Sequence, residues 1–169
     1  MSLTMHSASV PVFVRMLGNM LNWLDKAEAH ALARKFDSAN FVGLRLAPDM
    51  LPFGRQIQIA TDGAKGCVAR LAGIEVPKWD DTESTLPELR ARVSRTIDYV
   101  QSFSAEQIDG SEGREIVLPT RHGEPLRFTG EAYLKHFVLP NFYFHATTTY
   151  ALLRHGGVEL GKRDYLGAA

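Results

Sequence analysis

The sequence predicts an all-α four-helix bundle with one small β-hairpin before its last helix. Three observations carry that reading. Four long segments repeat apolar residues at three- and four-residue steps, recognised start and stop residues bound them, and one short stretch switches to β-prone runs. The chain has 169 residues, 45% hydrophobic and 22% charged, proportions of an ordinary globular protein. One domain over residues 1–169 is expected, since folding at this length removes roughly 70% of the unfolded chain's surface from water.

The first helix is expected over residues 7–30. Val10, Phe13, Val14, Leu17, Leu21 and Leu24 share one stripe, and Val12, Met16, Met20 and Trp23 form a second beside it. More than one face therefore seeks burial, by a central position or by a partner. The segment 37–51 is a Pro-broken connection whose course periodicity does not define. Pro48 and Pro52 open the second helix, on which Phe53, Ile57, Ala60, Ala64, Val68 and Leu71 align until Gly73 stops it. Gly63, Gly66 and Ala69 let another backbone come close.

Thr85 and Glu88 have the spacing of a capping box, which starts a third helix running to about Phe103. Ile116-Val117-Leu118 and Leu126-Arg127-Phe128, around the turn-like Arg121-His122-Gly123-Glu124, read as the hairpin. The fourth helix follows Thr129 and ends before Gly156-Gly157. Two apolar faces make it the expected central helix, and Pro140 is expected to kink it or mark a new start. The stretches 78–84 and 104–113 read as loops, and a tail with Lys162, Arg163 and Tyr165 closes the chain.

Nineteen Lys+Arg balance nineteen Asp+Glu, so the long-range attraction that supplies most nucleic-acid and anionic-membrane affinity is missing. No nucleic-acid or membrane partner is expected. The lone Cys67 forms no intrachain disulfide, the N-terminus from Met1 has no basic leader, and no apolar run of ~18 residues occurs. A cytoplasmic protein is the expectation.

Chemistry concentrates on the fourth helix, where Asn141 and His145 interrupt an apolar stripe. Being four residues apart, they are neighbours one turn from each other, the spacing of a His-x-x-x-His metal clamp with Asn in the first place. On the second helix Gln58, Asp62 and Lys65 share a polar stripe at the edge of the apolar one. If the second and fourth helices pack together, Gln58 can face Asn141 and His145. On the residues alone a structural role is favoured, because unpaired buried polar groups cost ~1–3 kcal/mol each and these three can satisfy one another. Cys67 reads as a small buried hydrophobe, and His6, His30, His122, His136 and His155 as solvated surface residues.

Residues 9–18 (SVPVFVRMLG), residues 46–58 (LAPDMLPFGRQIQ), Asn141-Phe-Tyr-Phe-His145 and residues 160–164 (LGKRD) resemble an uncharacterised domain-of-unknown-function family within the DinB/YfiT-like superfamily. The resemblance covers nearly the whole chain. It implies a four-helix bundle, often dimeric, whose better-known relatives hold a divalent metal with three histidines, one from the second helix and a His-x-x-x-His pair from the last. Matching by motif places Gln58, Asn141 and His145 at those positions, with a single histidine among them. Some relatives are thiol-dependent transferases or isomerases in which the metal lowers a thiol pKa.

Three functions follow. The favoured one is a bundle with a degenerate metal site that binds a small molecule in a polar pocket of Gln58, Asp62, Asn141 and His145. A metal-dependent thiol transferase or isomerase is the second, in which His145 acts as a general base or anchors a weak metal with Gln58 and Asn141, Asp62 being an added carboxylate of a weak mixed N/O site. A non-catalytic homodimeric scaffold is the third, from the doubled apolar faces.

Overall fold

A computed structural model describes residues 3–120 and 122–167. Met1, Ser2, Ala168 and Ala169 lie outside the described residues, as does Arg121, read above as the first residue of the hairpin turn. Helix α1 spans Val10–Arg34, α2 Phe53–Ala72 and α3 Leu86–Gln101; a short α4, Ala105–Ile108, precedes strands β1 (Glu115–Leu118) and β2 (Leu126–Thr129). The last long helix begins with α5 (Gly130–Ala132), widens into a π-helical turn at Tyr133–Val138 and continues as α6 (Leu139–His155). A terminal helix, α7 (Lys162–Leu166), ends the described chain.

Four long helices close the bundle in the order α1, α3, α2, α6, so α2 lies between α3 and α6. The capping box at Thr85 and Glu88 starts α3, and Gly73, with φ of 72°, ends α2. Helix α1 runs four residues past the expected His30, because Lys35 rather than a glycine takes the left-handed cap, with φ of 59°. The expected central helix is corrected. Fourteen of the 20 residues of α2 are buried against seven of 17 in α6. Ala60 and Ala64 on α2 are fully buried, whereas Tyr143 and Phe144 leave one side of α6 open. The expected close approach of another backbone at Gly63 and Gly66 is corrected, since a Cβ at Gly63 would meet nothing within 4 Å and the nearest atoms at Gly66 belong to the Arg70 side chain.

Pro140 falls in the first turn of α6, where its missing N–H is harmless, and the π turn just before it absorbs the change of register. The hairpin pairs Ile116 with Phe128 and Leu118 with Leu126. Phe128 then packs against Tyr133 and Phe137, tying hairpin to π turn. The second apolar stripe of α1 is covered by the chain itself. Trp23 stacks on Tyr165 at 5.5 Å, and its indole N–H donates to the Asp164 carbonyl at 2.8 Å. Among the described residues no helix is long and apolar enough to cross a membrane.

Candidate functional site

Gln56 and Gln58 flank Ile57 of the core stripe by about 100° on either side, so they leave α2 in opposite directions. Gln56 takes the α6 side. Its amide Nε2 donates to the Leu51 carbonyl at 2.8 Å, which orients the group so that Oε1 meets His145 Nδ1 at 2.7 Å. An amide oxygen only accepts, so Nδ1 carries the proton. Burial holds the His145 imidazole below its ordinary 6.5, and the ring is neutral at pH 7.

The lone pair therefore sits on Nε2. That atom makes no hydrogen bond among the described residues, yet the only fully buried side-chain N or O without a partner there is Ser111 Oγ. Nε2 must reach solvent at the rim of a residue that is 7% exposed. Phe144 stands edge-on to the ring at 5.2 Å, and Thr149 Oγ1 returns a hydrogen bond to the His145 carbonyl at 2.8 Å. Asn141, one turn earlier, is half-buried with no side-chain hydrogen bond among the described residues.

Gln58 and Asp62 lie elsewhere, which corrects the expectation that Gln58 faces His145. Gln58 Oε1 accepts from Arg55 Nη1 at 2.7 Å, and its Nε2 donates to Glu83 Oε2 at 2.8 Å. Asp62 Oδ1 receives Lys65 Nζ at 2.7 Å and Arg92 Nη2 at 2.9 Å. Arg92, 4% exposed, is the hub of this flank. It also donates to Thr61 Oγ1, the Asp80 carbonyl, Asp81 Oδ1 and both Glu83 oxygens, fastening the loop before α3 onto α2. Partial burial would raise the Asp81 carboxyl, but its bond to Arg55 and the charges of Arg92 and Arg55 hold it below its usual range.

Trp79 seals the same loop, with Lys65 Nζ 4.4 Å and Arg95 Cζ 4.1 Å from its ring centre. A cleft of about 430 Å³ opens beside it, but Arg92 and Glu83 on its wall are bonded to each other and Glu88 is spent on the α3 cap. Sequence reasoning did not find Gln56, Arg92 or Trp79. Only the equal angles of Gln56 and Gln58 about Ile57 signalled that either could face α6.

The metal expected from the superfamily fails the test of its donors. The α6 site offers one imidazole, one half-buried carboxamide at Asn141, and Gln56, whose oxygen already binds His145 Nδ1. Zn²⁺ and Ni²⁺ favour several imidazoles or thiolates. Asp62, the one carboxylate proposed to help, is held by two cations on the other flank. No group of three or more His, Cys, Asp or Glu placed to hold a metal occurs among the described residues. Cys67 is fully buried, and burial pushes its thiol far above the ordinary range, so it stays protonated.

The profile of a family described as a domain of unknown function, DUF1993, matches residues 5–166. The chain is also similar to a crystal structure of a DinB family member protein from Shewanella denitrificans. That likeness has 42% identity and a TM-score of 0.87, and covers 97% of this chain and 92% of the other. No curated protein matches.

Proposed function

The chain belongs to the DUF1993 family, and we propose that it is a DinB-like bundle with a degenerate metal site that binds a small organic molecule beside His145. One observation carries this reading. The bond from Nδ1 to Gln56 fixes the tautomer and points a neutral Nε2 outward as a hydrogen-bond acceptor, while the rest of the site lacks metal-binding donors. Asn141 adds an amide one turn away and Phe144 an apolar wall, so the fitting ligand is a hydrogen-bond donor with an aromatic or aliphatic body.

The test has a metal arm and an organic arm. Purified untagged protein is supplied with Zn²⁺, Ni²⁺ and Mn²⁺, freed of excess and analysed for metal beside a His145→Ala variant. Phenol, a compact O–H donor, is titrated separately while the imidazole nitrogens are followed by NMR. The expected results are sub-stoichiometric metal in both proteins and a saturable phenol shift at His145 Nε2. Near-stoichiometric metal in the wild type, lost in the variant, overturns the reading and restores the metal-dependent transferase.

Homodimerisation is the second reading, favoured by Phe144 at 55% exposed next to Tyr143 on the open side of α6. Sedimentation at micromolar concentration decides it, and a monomer removes it.

A further inference from the structure

The seam between α2 and α6 that begins at Gln56 and His145 ends on a groove of different chemistry. Gln56, Ala60, Gly63, Cys67 and Arg70 follow one another at four- and three-residue steps, so they lie along one line of α2. At its far end Gly63, Arg70, Leu118, Tyr133, Phe137 and Val138 line a groove of about 260 Å³ between α2, the hairpin and the π turn. Its walls are aliphatic and aromatic, with the rings of Tyr133 and Phe137 stacked at 6.0 Å. One cation enters it.

Arg70 is half-buried and has no carboxylate partner among the described residues. Its contacts are a hydrogen bond from Nη1 to the Tyr133 hydroxyl at 3.0 Å and the face of the same ring at 6.0 Å. Burial pushes the Tyr133 phenol up to about 12, so it keeps its proton, and its O–H is left to donate elsewhere. A guanidinium and a phenol O–H thus stand side by side at an apolar groove, a donor pair that matches the two oxygens of a carboxylate.

The glycines of α2 fit the same reading. Gly within a helix is disfavoured relative to Ala, yet the middle of α2 carries two glycines three residues apart, Gly63 and Gly66. A Cβ at Gly66 would lie 2.4 Å from Arg70 Nη1, and its three nearest neighbours would all be atoms of that guanidinium, so the bare backbone there makes room for it. A Cβ at Gly63 would meet nothing within 4 Å, so packing does not require that glycine, and it lines the groove. A cation in the last turn of α2 also favours the helix dipole, but that needs neither glycine nor groove.

We infer that this groove is a binding site for a small carboxylic acid with an apolar, aromatic-sized body, its carboxylate on Arg70 and the Tyr133 hydroxyl and its body against Phe137, Val138 and Leu118. The inference is independent of the reading of His145 and can fail without it.

Phenylacetate is the probe and phenylacetamide its neutral isostere, each titrated against the protein and followed by amide and arginine Nε resonances. Phenylacetate is expected to shift Gly63, Arg70, Leu118 and Phe137 saturably, with phenylacetamide at least tenfold weaker. Arg70→Met removes the charge. Gly66→Ala displaces it while favouring the helix, so that variant keeps its thermal midpoint. Each should weaken phenylacetate at least tenfold. Equal binding of acid and amide, full affinity in either variant, or no saturable shift at these residues overturns the inference.

Discussion

The two flanks of α2 are built from similar side chains and closed in different ways. Toward α3, Arg55, Gln58, Asp62 and Lys65 meet Asp81, Glu83 and Arg92, and each charge finds an opposite one. Toward α6, Gln56 and Arg70 each make one side-chain contact with the last helix and leave polar atoms over, Nε2 of His145 and the remaining N–H groups of Arg70. The first flank is a fastening. Polar groups saturated by one another have little left to offer a ligand, whereas groups held in place but unsaturated have kept that capacity.

The sharpest way to break the comparison is Arg92→Met. It leaves Asp62, Asp81 and Glu83 with a buried cation missing and frees the loop before α3, so a loss of about 3 kcal/mol is expected in urea denaturation. A loss below 1 kcal/mol would mean that Arg55, Gln58, Trp79 and apolar packing hold the loop without Arg92. Binding on the α6 side should be unchanged in this variant.

Gln56→Ala probes the other flank with a smaller expected cost. It strands the buried His145 N–H and the Leu51 carbonyl, for about 1–2 kcal/mol by the same measurement. Gln58→Ala should leave the His145 resonances where they are, whereas Gln56→Ala should move them. If the two variants act alike on His145, the division of the flanks is wrong.

The smallest effect is a pH slope. The folded pKa of His145 lies below the unfolded value near 6.5, so below that pH the unfolded chain binds the proton more readily. The contribution is therefore present above pH 6.5 and is lost as pH falls through the folded pKa. His145→Gln should flatten stability against pH in that window, and an unchanged slope would assign it to other groups.

Much of the fold was legible because its signals are local. The Thr85 and Glu88 box, Gly73 and the β-prone runs around residue 122 each act within a few residues, and all recur in the structure. The end of α1 was not, since Lys35 adopts a glycine-like conformation that no propensity announces. Nor was the cover over Trp23, because α7 comes from the far end of the chain. His145 was legible as a polar break in an apolar stripe, and α6 sets it against Gln56 of α2, whereas Asn141 makes no side-chain hydrogen bond among the described residues. The partner on α2 was misplaced by two residues. Gln56 and Gln58 stand at equal angles from Ile57, and only the order of helices around the bundle decides which meets His145. The Arg92 hub was invisible for a similar reason, as its acceptors come from α2 and from a loop without periodicity.

The central claim is that Gln56 holds His145 as a neutral imidazole with its proton on Nδ1 and its lone pair on Nε2. A long-range ¹H–¹⁵N spectrum of the imidazoles across pH 5 to 8, assigned with His145→Gln, reads this directly. The account predicts a protonated Nδ1 and bare Nε2 at pH 7 and a titration midpoint below 6.5. A proton on Nε2 at neutral pH, or a midpoint above 6.5, would contradict it.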